Sequence, residues 1–453
     1  MRVLLYSWNA NNEQILADNF IRFGFEVVWF RKECKHYTRD MELAMELIPL
    51  IHAQGAEAVV SFNYFPILSM ICNTCQIPYY AWVYDCPHFT LYAKQAALSC
   101  NHIGIFDREM VRQMREEYGI GTVYHVPLSV DVAYFDSVIT QASEEERQQF
   151  WCDISFVGSL YTDAYNYYDR MFGAGDAVQD GESLKGEETE WRNKREKCHA
   201  AIADAISRQC FAYHEDYLRQ DVRNGRIDLQ MIQAQMKKQG LMLGEDYLAR
   251  SEDILLAAVL EKKATVEERR MLLIQIADRF ASNSMHQPDS VIHNRKKEDA
   301  TEKREQKKDC VVSNSAGKRY DFRLYTGSDT SSLPELSPYD HGTVDYHTQM
   351  PLVFAGSRIN LNISLRSIRS GIPLRVLDIM ACGGFVLSNW QPEITQYFEE
   401  GVEIVTFDSL QDCLAKIAYY LTHEEERKQI AARGQRKVQE KFSYQIGLER
   451  LFT

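Results

Sequence analysis

The segment from Pro373 to Ser388, PLRVLDIMACGGFVLS, sets an arginine, an acid and a glycine pair around one short helix. At helical spacing Val376, Leu377, Met380 and Ala381 turn toward a core, while Arg375 and Asp378, three residues apart, share the opposite face near the helix start. A helix N-terminus offers unpaired N–H groups and a positive dipole end to a diphosphate. Arg375 adds a forked cation, and the Asp378 carboxylate can accept both hydroxyls of a ribose. These groups suit a nucleotide sugar; the plainer alternative is an amphipathic helix with an Arg and an Asp at its surface. Gly383 and Gly384 then end the helix ahead of a strand at Phe385 to Ser388.

Other loops are expected to join that helix start. Gly158 and Ser159 follow an apolar strand-like run; glycine lets a phosphate come close and serine donates a hydrogen bond. Thr326 and Gly327, after Tyr325, and Tyr346, before His347, are candidates for packing against a base. Arg366, Arg369, Gly371 and Ile372 lie just ahead of Arg375, where clustered cations beside a glycine fit a diphosphate or simply form a solvated basic loop. No two aspartates are separated by a single residue, so a D-x-D metal clamp is absent. No metal and no cofactor are expected, and the helix dipole and arginines would stabilise a departing diphosphate.

A second set lies in the first third of the chain. YYAWVYDCPHFTLY delivers Asp85, Pro87 and His88 to a strand end, where Pro87 stops the strand. Asp85 or His88 either takes the proton from an acceptor hydroxyl attacking a sugar carbon, or holds the loop, with Asp85 capping a helix near Thr90. Asn63, Tyr64 and Asp107 sit at neighbouring strand ends and are assigned to the acceptor side.

The elements that must position these residues alternate. From Arg2 to about Pro127, six apolar strands are separated by helices, the last two helices at Leu91 to Leu98 and Arg108 to Tyr118. This pattern is an α/β fold with a parallel sheet covered on both faces. The loop after the first strand, Ser7 to Asn12, holds no glycine, which disfavours the dinucleotide fingerprint. A seventh strand at Ile154 to Val157 precedes a mostly helical stretch, 162–318, whose segment 287–318 is dense in charge. Alternation resumes with strands at Asp321 to Thr326, Val344 to His347 and Ile359 to Ser364. The predicted division is therefore 1–150, a Rossmann-like acceptor-side domain; 151–443, a Rossmann-like nucleotide-sugar domain split by the insertion; and 444–453, a helix crossing back to the first.

Composition narrows the partners. The 453 residues carry a formal net charge of −13, which argues against a nucleic-acid partner. No run reaches the ~20 apolar residues of a membrane span, and the N-terminus lacks a signal-peptide core. Together with 11 scattered cysteines, this places the protein in the cytoplasm, with reduced thiols.

With these residues assembled, the chain resembles the GT-B glycosyltransferases of the CgeB-like, spore-maturation-protein group within the broad group 1 transferases. Ser357-Arg358-Ile359-Asn360-Leu361-Asn362, Leu374 to Asp378, Ala381-Cys382-Gly383-Gly384, the Glu403 strand and Tyr419-Tyr420-Leu421 are similar to that group's nucleotide-binding half. Pro78 to Trp82 with Asp85 and Pro87 resembles the N-terminal domain commonly joined to it. The resemblance implies two Rossmann-like domains facing a cleft, and transfer of a hexose from a UDP- or GDP-sugar donor to a hydroxyl of a glycan or protein acceptor. Asp378 stands where the motif more often has Glu, and Ser370 where the first acid of the two-glutamate pattern would be. Two other readings remain open: a structural or coat-assembly protein that keeps the fold without transfer, and a nucleotide-sugar epimerase.

Overall fold

Short runs of Val, Ile, Leu and aromatic residues, each bounded by a turn and followed by a helix, form two parallel sheets in a computed structural model, which describes residues 1–162, 166–172, 186–238, 251–281 and 319–452. The first sheet contains β1 (Arg2–Ser7), β2 (Glu26–Arg31), β3 (Ala58–Phe62), β4 (Tyr79–Val83), β5 (Asn101–Ile105) and β6 (Val123–His125). Their order is β2-β1-β3-β4-β5-β6, and every pairing is parallel. The second contains β7 (Cys152–Val157), β8 (Phe322–Tyr325), β9 (Ser357–Asn362), β10 (Val386–Asn389) and β11 (Val405–Phe407), ordered β11-β10-β9-β7-β8 and also parallel. β3 is buried along its whole length, as a strand covered on both faces must be.

In each sheet the order in which strands are added reverses once, between β1 and β3 in the first and between β7 and β9 in the second. At such a switch point the loops leaving the two strands part, and the crevice between them is where open α/β sheets bind ligands. The relevant loops are therefore Ser7 to Asn12 and Asn63 to Phe65 in the first domain, and residues 158–162 and 363–373 in the second.

Two expected elements differ. Val344 to His347 is a turn, because the Asp345 carboxylate accepts from the amides of His347 (3.1 Å) and Thr348 (2.8 Å) and so competes with any strand ladder. Leu91 to Leu98 is two 3₁₀ turns, Phe89–Tyr92 and Lys94–Ala97, separated by extended backbone at Ala93.

Between β7 and β8 the described elements are helices: Tyr167–Phe172, Gly186–Gln209, Tyr217–Arg223, Leu229–Lys238 and a long rod from Ser251 to Ala281. Within that rod Leu256–Glu261 and Ala277–Ala281 are wound as π-helix. The predicted charged loop at 287–318 lies outside the described residues. Near the other end of the chain the helix Tyr444–Leu451 lies on the first domain: a Cβ at Gly447 would come within 2.2 Å of the Trp82 ring and 2.4 Å of Ser129 Oγ. Val130 N also donates to Phe442 O (2.9 Å). Among the described residues no helix is long and apolar enough to cross a membrane.

Candidate functional site

Pro373, in extended backbone, precedes the helix Leu374–Ala381, which starts at the end of the loop leaving β9. Val376, Leu377, Met380 and Ala381 are in the core as their spacing requires. Asp378 is buried as well, at 1% exposure, so it does not lie on an open face. The cause is Tyr346, in the turn that displaced the expected strand, whose hydroxyl donates to Asp378 Oδ1 (3.0 Å). Arg375 Nη1 is 3.5 Å from Asp378 Oδ2 and keeps part of its side chain exposed. Burial raises the Asp378 carboxyl to about 6, against the opposing pull of Arg375 and the Tyr346 bond.

The first domain reaches this pair directly. Asn12, in the loop after β1, donates from Nδ2 to the Tyr346 hydroxyl (3.2 Å). Tyr84 and Tyr444 lie close enough for the Asp378 charge to help hold their phenols in the protonated form, behind the larger effect of burial. The arginine, the acid and the tyrosine thus meet where the two domains face each other.

At the second switch point itself the main cation is Arg269, from the helix Lys262–Ile276 of the insertion. It donates to Ser159 O and, from Nε (3.1 Å) and Nη2, to Ile363 O, so one guanidinium ties together the chain ends leaving β7 and β9. Its guanidinium also lies over the rings of Tyr161 (5.0 Å) and Phe156 (5.4 Å). Gly158 sits against the Phe156 ring, which a Cβ would meet at 3.2 Å. Ser159 Oγ pairs with Ser328 Oγ (3.1 Å), and Thr326 Oγ1 accepts from Ser328 N (3.1 Å), so both hydroxyls help build the turns after β7 and β8. Gly327 packs beside Thr343.

The loop after β9 departs from its expected role. Arg366 turns into the insertion, pairing with Glu268 (2.7 Å) and donating to Gln209 O (2.9 Å); the buried Glu268 carboxylate is a stronger partner than solvent. Arg369 is 3.5 Å from Glu109 of the first domain. Gly371 is a glycine because a Cβ there would come within 2.7 Å of the Phe106 ring, and Ile372 is core. These four residues fasten domain to domain or domain to insertion.

Asp107 also proves to be a fastener, which corrects its acceptor-side assignment. It is fully buried, caps the helix Arg108–Glu116 through Met110 N (3.0 Å), and accepts from Arg369 N (2.6 Å), Ser370 N (3.0 Å) and Ser370 Oγ (2.8 Å). Ser370 Oγ is also 2.8 Å from Glu393 Oε1, and Glu393 Oε2 is 2.9 Å from His125 Nε2. Burial pushes the Glu393 carboxyl up, yet His125, the Arg108 amide and Ser370 together hold it below its ordinary value.

In the first domain Asp85 is exposed at the end of β4. Asn63, at φ 61°, aims it: Nδ2 donates to Asp85 Oδ2 (2.7 Å) while Oδ1 accepts from the amides of Tyr84 (3.0 Å) and Asp85 (3.1 Å). Asn tolerates that left-handed backbone better than most residues. His88 is no free base. Its Nε2 accepts from Tyr64 N (3.0 Å) and lies 2.7 Å from Thr90 Oγ1, and burial lowers its pKa despite the nearby Asp85 charge. Tyr64 is buried in the first core. Asn63 and Tyr64 therefore support the loop, and Asp85 alone of this group presents a titratable group outward.

Three participants had no sequence signal. Asn12 was one polar residue among several in its loop, Arg269 one charge on a charged helix, and Glu393 an ordinary first-turn acid. Only the fold brings Asn12 and Glu393 to the interdomain face and Arg269 to the second switch point.

Residues 306–453 match the model of the glycosyl transferase-like family. A glycosyltransferase from Rickettsia africae superposes over 100% of this chain and 96% of its own, with a TM-score of 0.52 at 9% identity. The chain has the GT-B glycosyltransferase fold. Anabaena HepE, solved with UDP, covers 100% of this GT-B chain and 98% of its own at 8% identity and a TM-score of 0.49. Sucrose-phosphate synthase from Thermosynechococcus elongatus covers 99% and 97% at 9% identity and a TM-score of 0.48. No curated protein sequence matches the chain. In GT-B terms, the helix bearing Arg375 and Asp378 belongs to the C-terminal Rossmann-like domain, inside the stretch that the family model covers.

Proposed function

We propose that the protein is a cytoplasmic, metal-independent glycosyltransferase of the CgeB-like group. In this reading it moves a hexosyl unit from a UDP- or GDP-sugar to a hydroxyl of a glycan or protein. The supporting observation is the Arg375–Asp378 pair at the start of the helix that follows the second switch point, opposite Asn12 of the first domain. Arg375 and the helix N–H groups bind the diphosphate. The Asp378 carboxylate takes the ribose hydroxyls once the Tyr346 hydroxyl gives way to them. The acceptor oxygen then bonds to the anomeric carbon, the bond from that carbon to the phosphate oxygen breaks, and Asp85 receives the acceptor's proton. Negative charge grows on the departing diphosphate, where Arg375 and the helix dipole are already placed, so little reorganisation is needed.

A second reading, a surface-assembly protein that keeps the fold without transfer, draws on the covering of Asp378 and the scaffold roles of Asp107, Arg366 and His88. Titration with UDP, GDP, ADP and their sugars, without metal, separates the two. Selective binding that disappears in both Arg375→Ala and Asp378→Ala, followed by acceptor-dependent transfer, supports the transferase; no nucleotide binding supports the assembly protein. Sugar conversion without any acceptor would indicate an epimerase.

A further inference from the structure

A cavity of about 220 Å³ lies apart from the Arg375–Asp378 pair, enclosed by the insertion, the helix after β5 and the loops leaving β9 and β10. That volume holds about seven waters at ~30 Å³ each, the size of one monosaccharide ring. Trp390, immediately after β10, supplies a half-exposed aromatic face on its wall, with the His214 ring 4.2 Å away at the mouth. The charged lining is four carboxylates, Glu109, Glu215, Asp216 and Glu261, against the guanidiniums of Arg366 and Arg369. Both guanidiniums are engaged, Arg366 by Glu268 (2.7 Å) and Arg369 by Glu109 (3.5 Å), which leaves neither for a phosphate. Glu261, by contrast, is 4% exposed and closes a π-helical stretch of the rod; its Oε1 pairs with Arg219 (3.0 Å), while its Oε2 has no hydrogen-bond partner. A buried carboxylate oxygen left unpaired is costly unless something donates to it.

We infer that this cavity binds the terminal pyranose of the acceptor, a neutral sugar whose C–H face stacks on Trp390 and whose hydroxyls donate to Glu261 and the acids beside it. The role of acceptor rests on the transferase reading; the sugar-binding chemistry does not. An aromatic face with acceptor oxygens suits a polyhydroxylated ring, and the two lining guanidiniums are already paired with Glu268 and Glu109.

The test titrates the full chain with glucose, galactose, mannose and N-acetylglucosamine, with glucosamine and glucose 6-phosphate as charged probes, read by tryptophan fluorescence and saturation-transfer NMR. One or more neutral hexoses should bind, with glucose 6-phosphate weaker. Trp390→Ala should lower that affinity about five- to tenfold. Glu261→Gln should lower it about tenfold, the size of one charge-assisted hydrogen bond. Both variants should keep the wild-type circular dichroism and the nucleotide affinity that Arg375→Ala removes. If no hexose binds, or if both variants bind it as wild type does, the inference is overturned. Nucleotide binding without hexose binding would overturn it and leave the transferase reading intact, whereas Trp390-dependent hexose binding without nucleotide binding would do the reverse. Preference for glucosamine over every neutral hexose would overturn the neutral-sugar assignment.

Discussion

The two switch-point crevices are built alike and closed differently. In the first, between β1 and β3, Trp8 Nε1 donates to Phe62 O (3.0 Å), while Glu13 binds Ser7 Oγ (2.5 Å) and Trp8 N (2.9 Å). The closure is local, made by neighbours in the same domain, and Asp85 faces outward nearby. In the second, between β7 and β9, closure comes from Arg269, more than a hundred residues along the chain from β7 and carried by the insertion. One crevice is thus finished by its own fold, and the other depends on an inserted element to set the loops from which Arg375 and Asp378 follow. A half that relies on an insertion can be disabled from a distance; a self-sufficient half cannot.

The largest effect should separate chemistry from structure. Asp85→Asn should lower transfer by about 10²–10⁴-fold, the range for a lost general base, with nucleotide affinity unchanged. Because Asp85 is exposed, its unfolding midpoint in urea should stay near wild type. A full rate in that variant would return Asp85 to a loop-holding role. Arg269→Ala should act the other way, costing about 2–4 kcal/mol because two buried carbonyls lose their donor. That loss reads as a lower urea midpoint at constant slope, together with weaker nucleotide binding. If stability falls while nucleotide binding does not, the second crevice is independent of the insertion and the contrast fails.

Asp378 gives the comparison a pH dependence. Its folded value of about 6 lies above the unfolded carboxylate value, so its contribution to stability is fully present at low pH. It is lost as pH rises through the interval from about 4 to about 6. Ribose binding needs the ionised form, so nucleotide affinity should fall as pH drops below about 6. Asp378→Asn should abolish both slopes. The smallest effect is expected from Tyr346→Phe. Its hydroxyl favours the ionised carboxylate, so removing it should move the pH midpoint of nucleotide binding upward and change stability by about 1 kcal/mol. A downward move would show that the hydroxyl instead holds Asp378 closed against the ligand.

Much of the fold was legible because strand-forming residues alternate with helical spacing regardless of tertiary context. Val344 to His347 misled because β-favouring side chains surround Asp345, whose carboxylate captures two amides and forces a turn. The site was legible only in part. Arg375 and Asp378 are three apart on one helix, a spacing the sequence displays. The partners that bury Asp378 and Arg366, namely Tyr346, Asn12 and Glu268, are distant in sequence and adjacent only through the sheet order. Gly371 shows the same limit from the other side, since a glycine beside arginines suggests phosphate, whereas what requires it is the Phe106 ring of another domain.

The seating of Gly447 on Trp82 also has a consequence during synthesis. Residues 443–452 cover an apolar face of a sheet whose last strand ends at His125, so that face waits on the ribosome for roughly 320 further residues, about 15–65 s at typical elongation rates. Until then Trp82 and its neighbours are open to whatever else is nascent in the cell, and the earlier of the two sheets is completed by a helix made after both.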